Sequence, residues 1–248
     1  MDLSKLRGKL IMFDGIDKGG KGTAAAGLRD WVEQQGMHCF DLVTYQKKEK
    51  SLPESTQLDG FDSVISAEPT YCWSGCDLRE EHLLDNGREY EAEETAELFS
   101  ANRCTLYRRL VLPALKQGKC WIQERGVITS LVYQPVQAAM RNKHLERTYI
   151  ESLAGNRLAL QNPPHLIILV HCDPRIAASR VRKKKNDNAF FEKINYLSSL
   201  AKEYHDPWVR SYFESLDSYV IELDTTSWTP KQTVLHTIDV VKEYLSKL

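Results

Sequence analysis

Residues 10–13, LIMF, run straight into Asp14-Gly15-Ile16-Asp17-Lys18-Gly19-Gly20-Lys21-Gly22-Thr23, and these into Ala24-Ala25-Ala26. A short apolar run reads as a strand and a triple alanine as a helix start. The glycines therefore fall at a strand-to-helix junction with the spacing G-x-x-x-x-G-K. Glycine lets the backbone fold so that successive N–H groups point at phosphate oxygens, the helix amino end adds positive potential, and Lys21 adds a point charge. By composition the spacing arises by accident in about one chain in ten of this length. Its placement at the junction gives it weight. Directly after Lys21, where Ser or Thr is usual as a magnesium ligand, stands Gly22, with Thr23 one residue later.

A strand feeding a helix in this way asks for more such units. Apolar runs at Lys9–Phe13, Cys39–Thr44, Ser63–Ala67, Cys120–Gln123, Leu166–His171 and Tyr219–Leu223 predict strands. Helices are predicted over Thr23–Gln35, Glu93–Lys116, Arg147–Leu160, Phe191–Phe213 and Pro230–Leu248. The alternation predicts an α/β chain with a central parallel sheet flanked by helices. At 248 residues with 42% hydrophobic content, one domain spanning 1–248 is the simplest organisation. The polar stretch Gln46–Gly60, with Pro and Gly, reads as an exposed loop or insertion.

Lys+Arg (33) and Asp+Glu (34) nearly cancel, so no global basic surface points to nucleic acid or an anionic membrane. The longest strongly apolar stretch, Leu166–Val170, is far short of a ~20-residue span, and the amino terminus carries no long apolar signal region. The expectation is a cytoplasmic protein whose six dispersed cysteines are reduced.

Charge must then act locally. Arg125 follows the strand ending Trp121-Ile122-Gln123-Glu124 and so lies at the carboxyl edge of the sheet, where open α/β folds bind ligands. Phe99 and Arg103, four apart on a predicted helix, share a face. That spacing suits a ring stacked on a base with a guanidinium at its edge, although a core Phe and a solvated Arg are the plain alternative. Arg175 to Lys185 holds six cations in eleven residues, including Arg180 and Arg182, after a strand and Asp173-Pro174. A guanine-reading N-K-x-D is not met, since Asn142-Lys143 continues with His144-Leu145.

Four blocks, in order, resemble the thymidylate kinase family of nucleoside monophosphate kinases. They are FDGIDKGGKGT; Glu68-Pro69 followed by LREEHLL; LFSANRCTLYRRLVLPALKQGKCWIQERGVITSLVYQ; and LIILVHCDP with its basic stretch and NDNAFFEKINYLSSLAKEY. The resemblance implies a P-loop fold with a helical lid over about 175–192, transfer of the γ-phosphoryl of Mg-ATP to a deoxynucleoside monophosphate, and a homodimer. It assigns ATP binding to Gly15, Gly19, Gly20, Lys21, Gly22, Thr23, Arg180 and Arg182, and catalysis to Lys18, Lys21 and Arg125. On the acceptor it places Asp17 at the 3′-hydroxyl, Phe99 on the base, Arg103 at a base carbonyl, Arg125 on the phosphate and Tyr133 near C2′, with Glu68 and Gln134 beside them. Magnesium falls to Thr23 and Glu124.

This chain departs from the family pattern at Gly22, at Glu124 in place of Asp, and at Ala67, where Arg is common. Glu68-Pro69-Thr70-Tyr71-Cys72-Trp73 with Glu124-Arg125 also resembles deoxynucleoside kinases, in which a carboxylate such as Glu68 acts as base toward a 5′-hydroxyl. A non-catalytic nucleotide-binding protein is the third alternative. The expected partners are small-molecule nucleotides, not nucleic acid or membrane.

Overall fold

The computed structural model describes residues 2–83, 86–180 and 187–248. Among these, six strands form one fully parallel sheet: β1 Leu10–Gly15, β2 Cys39–Asp41, β3 Ser63–Ala67, β4 Cys120–Glu124, β5 Leu166–His171 and β6 Tyr219–Asp224, in the order β2-β3-β4-β1-β5-β6. The helices are α1 Lys21–Gln34, α2 Leu42–Glu49, α3 Ser74–Asp77, α4 Ala92–Leu106, α5 Leu112–Lys116, α6 Val127–Met140, α7 Arg147–Ser152, α8 Ala154–Leu160, α9 Pro174–Ser179, α10 Asp187–His205, α11 Pro207–Glu214 and α12 Pro230–Lys247.

Strand alternation divides the core into two layers. Leu10 and Met12 of β1, Trp121 of β4 and Ile167 and Leu169 of β5 face α4, α6 and α10. Ile11, Phe13, Ile122, Ile168 and Val170 face the opposite way, against Leu28, Trp31 and Val32 of α1 and Val241 and Leu245 of α12. A sheet apolar on both faces is what parallel strands covered by crossover helices require. None of the helices among the described residues is long and apolar enough to cross a membrane.

Several boundaries correct the sequence reading. The strand expected to reach Thr44 stops at Asp41, whose carboxylate accepts from the Thr44 amide at 2.9 Å and caps α2. The stretch 46–60 is not a simple exposed loop. Gln46 is buried on α2, and Leu52 and Leu58 enter the same core as Leu10. Helix 147–160 breaks where Leu153 turns extended (φ −60°, ψ 137°). Helix 191–213 breaks at Asp206-Pro207, where proline cannot continue the turn and Asp206 caps α11. The long helix to Lys116 carries a π-type turn at Tyr107–Val111. Helix α6 has no counterpart among the predicted helices.

The helix that carries Phe99 and Arg103 is fixed by a close approach. A Cβ at Gly155 on α8 would lie 1.8 Å from the backbone oxygen of Ser100 on α4, so only glycine fits without parting the helices. Replacing Gly155 by alanine is expected to cost at least about 2 kcal/mol, read as a lowered denaturant midpoint; an unchanged midpoint would mean α4 and α8 can separate freely.

Candidate active site

The carboxyl edge of the sheet opens into a cavity of about 860 Å³, at the upper end of the ~300–1,000 Å³ usual for a single-ligand site. Its walls come from the loop after β1, the ends of β3 and β4, helices α4, α6 and α10 on one face of the sheet, and the start of α12 on the other.

The phosphate loop leaves β1 through Gly15. There φ is 145° and a Cβ would meet the Val170 carbonyl oxygen at 2.2 Å, so glycine is required. Lys21, 3% exposed, donates to the Ile16 carbonyl at 2.6 Å. Burial lowers its ammonium to about pKa 8; neighbouring Arg125 acts in the same direction, while Asp17, Glu124 and Asp14 oppose. The far side of the loop is tied by Thr225, which donates to the Gly19 carbonyl at 2.6 Å, and by Arg180, which donates to the Lys18 carbonyl at 3.0 Å.

A Cβ at Gly22 would sit 3.1 Å from Glu124 Oε2, a close contact with the end of a flexible side chain. Glu124 and Thr23 both bring oxygen donors to the loop wall.

Against the loop stands Arg125, in the left-handed region at φ 66°. Its guanidinium pairs with Asp17, donates to Thr129 Oγ1 at 3.2 Å and to the Tyr133 hydroxyl at 3.2 Å. Behind this group lies Asp14, fully buried. It accepts from the Gly15 amide (2.8 Å), the Thr129 hydroxyl (2.7 Å) and amide (3.1 Å), and the Tyr204 hydroxyl (2.6 Å).

Glu68 ends the β3 side. Burial pushes its carboxyl up, against the opposing pull of Arg103. One oxygen accepts from Arg103 Nε at 2.8 Å and the other from Gln123 at 2.9 Å. Phe99 and Gln134 line the cavity, and the Gln134 carboxamide oxygen is buried without a partner among the described residues.

Of the residues named from sequence, the structure gathers Asp17, Lys18, Gly20, Lys21, Gly22, Thr23, Glu68, Phe99, Glu124, Arg125, Tyr133, Gln134 and Arg180 around one cavity. Gly15 and Gly19 shape the loop without lining the cavity. Arg103, expected at a base edge, sits behind the wall. Its guanidinium has no exposure and is engaged by Glu68, Asn156, the Gly126 carbonyl and Ser130, because a buried carboxylate needs a partner there. Arg182 lies outside the described residues, as do 181–185 of the basic stretch and 181–186 of the expected lid. Sequence reading gave no role to Tyr71, Arg79 and Tyr196, which lie inside the quoted blocks, and did not name Trp228; all four also line the cavity.

A thymidylate kinase family profile matches residues 46–212. The chain belongs to the thymidylate kinase family. It is similar to the thymidylate kinase of Brachyspira hyodysenteriae, 25% identical over 215 residues that cover 86% of this chain and 88% of that protein. It is also similar to a probable thymidylate kinase of Methanosarcina mazei, 29% identical over 203 residues covering 80% and 81%. In fold it is similar to a crystal structure of thymidylate kinase from Ehrlichia chaffeensis, with a TM-score of 0.60 at 17% identity over 95% of this chain and 99% of that one. The stretch 46–60 lies within the range matched to the family.

The depressed Lys21 ammonium carries a prediction. A polyphosphate bound in the loop restores its ordinary charge, so binding takes up most of one proton at pH 9 and almost none at pH 6.5, and affinity falls as pH rises past about 8. Calorimetry with inorganic tripolyphosphate in buffers of different ionisation enthalpy reads this directly. Equal uptake at both pH values would place the lowered ammonium elsewhere.

Proposed function

We propose that this enzyme is a dTMP kinase, a phosphotransferase that moves the γ-phosphoryl of ATP to the phosphate of dTMP, giving dTDP and ADP. The observation that carries it is that two phosphate-ready groups, Lys21 and Arg125, line one cavity whose wall also holds the Phe99 ring and a Gln134 carboxamide oxygen without a partner among the described residues. The thymidylate kinase names of its relatives point to the same acceptor.

In this reading the acceptor's phosphate oxygen, already anionic, attacks the γ-phosphorus while the bond to the β,γ-bridging oxygen breaks and ADP departs. No strong base is needed; the work is to hold two repelling phosphates in line. Lys21 and the loop amides hold the donor phosphates, Arg125 the acceptor phosphate, and Lys18 adds a cation from the loop. Phe99 stacks on the base and Gln134 offers its free oxygen to it. Tyr133, held by Arg125, closes on the sugar, with Asp17 beside the 3′-hydroxyl. Arg79 adds a further guanidinium to the same wall.

Thr23 and Glu124, hard oxygen donors beside the loop, fit a magnesium ion accompanying ATP, which when bound offsets charge on the phosphate oxygens. Arg180 reaches the loop at the Lys18 carbonyl, and family resemblance makes the segment of about 175–192 a lid. A single kinase domain, a homodimer and a cytoplasmic location complete the reading on family resemblance. The nucleoside-kinase alternative is disfavoured by Glu68, whose two oxygens are both engaged by Arg103 and Gln123 rather than turned to a hydroxyl.

ADP release with Mg-ATP is expected with dTMP and not with thymidine, and Lys21→Ala is expected to abolish it. Phe99→Ala is expected to raise the dTMP KM about tenfold or more, since one base–ring stack is worth ~1–3 kcal/mol. Turnover of thymidine alone would make Glu68 a base and overturn the reading.

A further inference from the structure

At the acceptor side of the cavity the β3 strand ends in Ala67, which lines the wall and brings no charge. Beside it stands an aromatic ring that the enzyme reading does not use. Tyr71 lines the cavity, and its ring carries two cations: the Arg79 guanidinium carbon lies 3.7 Å from the ring centroid and the Lys47 ammonium 4.4 Å. Both distances suit cation–π contact, and they place the two charges no more than about 8 Å apart, within one Debye length at ordinary salt.

The arrangement is built rather than incidental. Gln46, 1% exposed, accepts from the Tyr71 amide at 3.0 Å, so α2 is fastened to the loop beside Tyr71, with Lys47 as the next residue. Arg79 donates through Nε to the Pro69 and Thr70 carbonyls at 3.0 and 3.1 Å. Thr70 is in turn held by Asn102 of α4, whose carboxamide oxygen accepts from its amide at 3.0 Å. A Cβ at Gly75 would lie 2.3 Å from the Thr70 carbonyl oxygen, so the loop folds tightly on itself.

Two like charges on one ring repel each other. Burial lowers Arg79 below its ordinary value, and Arg125 contributes in the same direction, which places Arg79 within electrostatic reach of the Arg125 guanidinium. An anion arriving on this wall relieves the repulsion and draws on both charges.

We propose that α2 is part of the acceptor site: Lys47, a positioning residue set on the Tyr71 ring opposite or beside Arg79, strengthens recognition of the acceptor's 5′-phosphate in place of the charge missing at Ala67. This rests on the dTMP kinase reading and names what a segment without another assignment contributes to it. Lys47 does not line the cavity and touches no reacting atom. It acts through the Tyr71 ring and the electrostatic field it shares with Arg79.

The test is calorimetric binding of dTMP and of thymidine to the wild-type enzyme and to Lys47→Ala, Lys47→Arg and Tyr71→Ala, at 50 and 200 mM salt. Lys47→Ala is expected to weaken dTMP three- to tenfold, to leave thymidine unchanged and to flatten the salt dependence of dTMP binding. Lys47→Arg is expected to retain wild-type values, and Tyr71→Ala to weaken dTMP at least as much as Lys47→Ala. An unchanged dTMP affinity in Lys47→Ala overturns the proposal, as does equal weakening of dTMP and thymidine, which would mean Lys47 serves the fold of the loop. A wild-type enzyme that binds dTMP no better than thymidine and releases no ADP with it overturns the enzyme reading and this inference together. Wild-type turnover with an unaffected Lys47→Ala overturns the inference alone.

Discussion

The buried carboxylate of Asp14 holds the site together. It lies where β1 becomes the phosphate loop, and four donors converge on it from the Gly15 amide, both polar groups of Thr129, and Tyr204. Those donors belong to the loop, the amino end of α6 and α10. Helix α6 has no capping side chain of its own, as Gly126 occupies the cap position; Asp14 supplies the acceptor from another strand and sets a negative charge at the positive end of the helix. From α6 project Thr129, Tyr133 and Gln134, with Arg125 just ahead of it. From α10 comes Tyr196, whose ring meets Tyr133 edge-on at 6.2 Å. One carboxylate therefore registers three walls of the cavity, and burying it is tolerable because both oxygens are hydrogen-bonded.

With those walls fixed, two of the cavity's cations, Lys21 and Arg79, are lowered by burial with Arg125 acting in the same direction, while Arg125 itself is raised by Tyr133 and its partner Asp17 against its own burial. Two polyanionic substrates supply the countercharge, so the binding of phosphate and the in-line chemistry draw on the same preorganised field. Glu124 and Asp17 moderate that field.

Much of this is legible in the chain. The strands Ser63–Ala67 and Leu166–His171 fall where their β-branched runs place them, and the glycine loop sets Lys21 at a helix start. The features that escape a sequence reading depend on partners distant in sequence. Helix α6 begins with β-branched residues and takes its cap from a residue 115 positions earlier, so no local signal marks it. Arg103 looks like a base reader by its spacing from Phe99, but the buried Glu68, 35 positions earlier, claims its Nε. Lys47 sits in a run of charges that reads as solvated surface, and the Gln46–Tyr71 bond and its own contact with the Tyr71 ring give it a location.

Donor and acceptor, in this account, occupy one cavity and are held from opposite faces of the sheet. The most direct measurement is calorimetric binding of a compound in which a five-phosphate chain joins adenosine to thymidine. One molecule per chain is expected, bound tighter than ATP by about two orders of magnitude because the second contact becomes intramolecular, with Lys21→Ala and Phe99→Ala each weakening it. An affinity no better than that of ATP, indifferent to Phe99, would contradict a shared cavity.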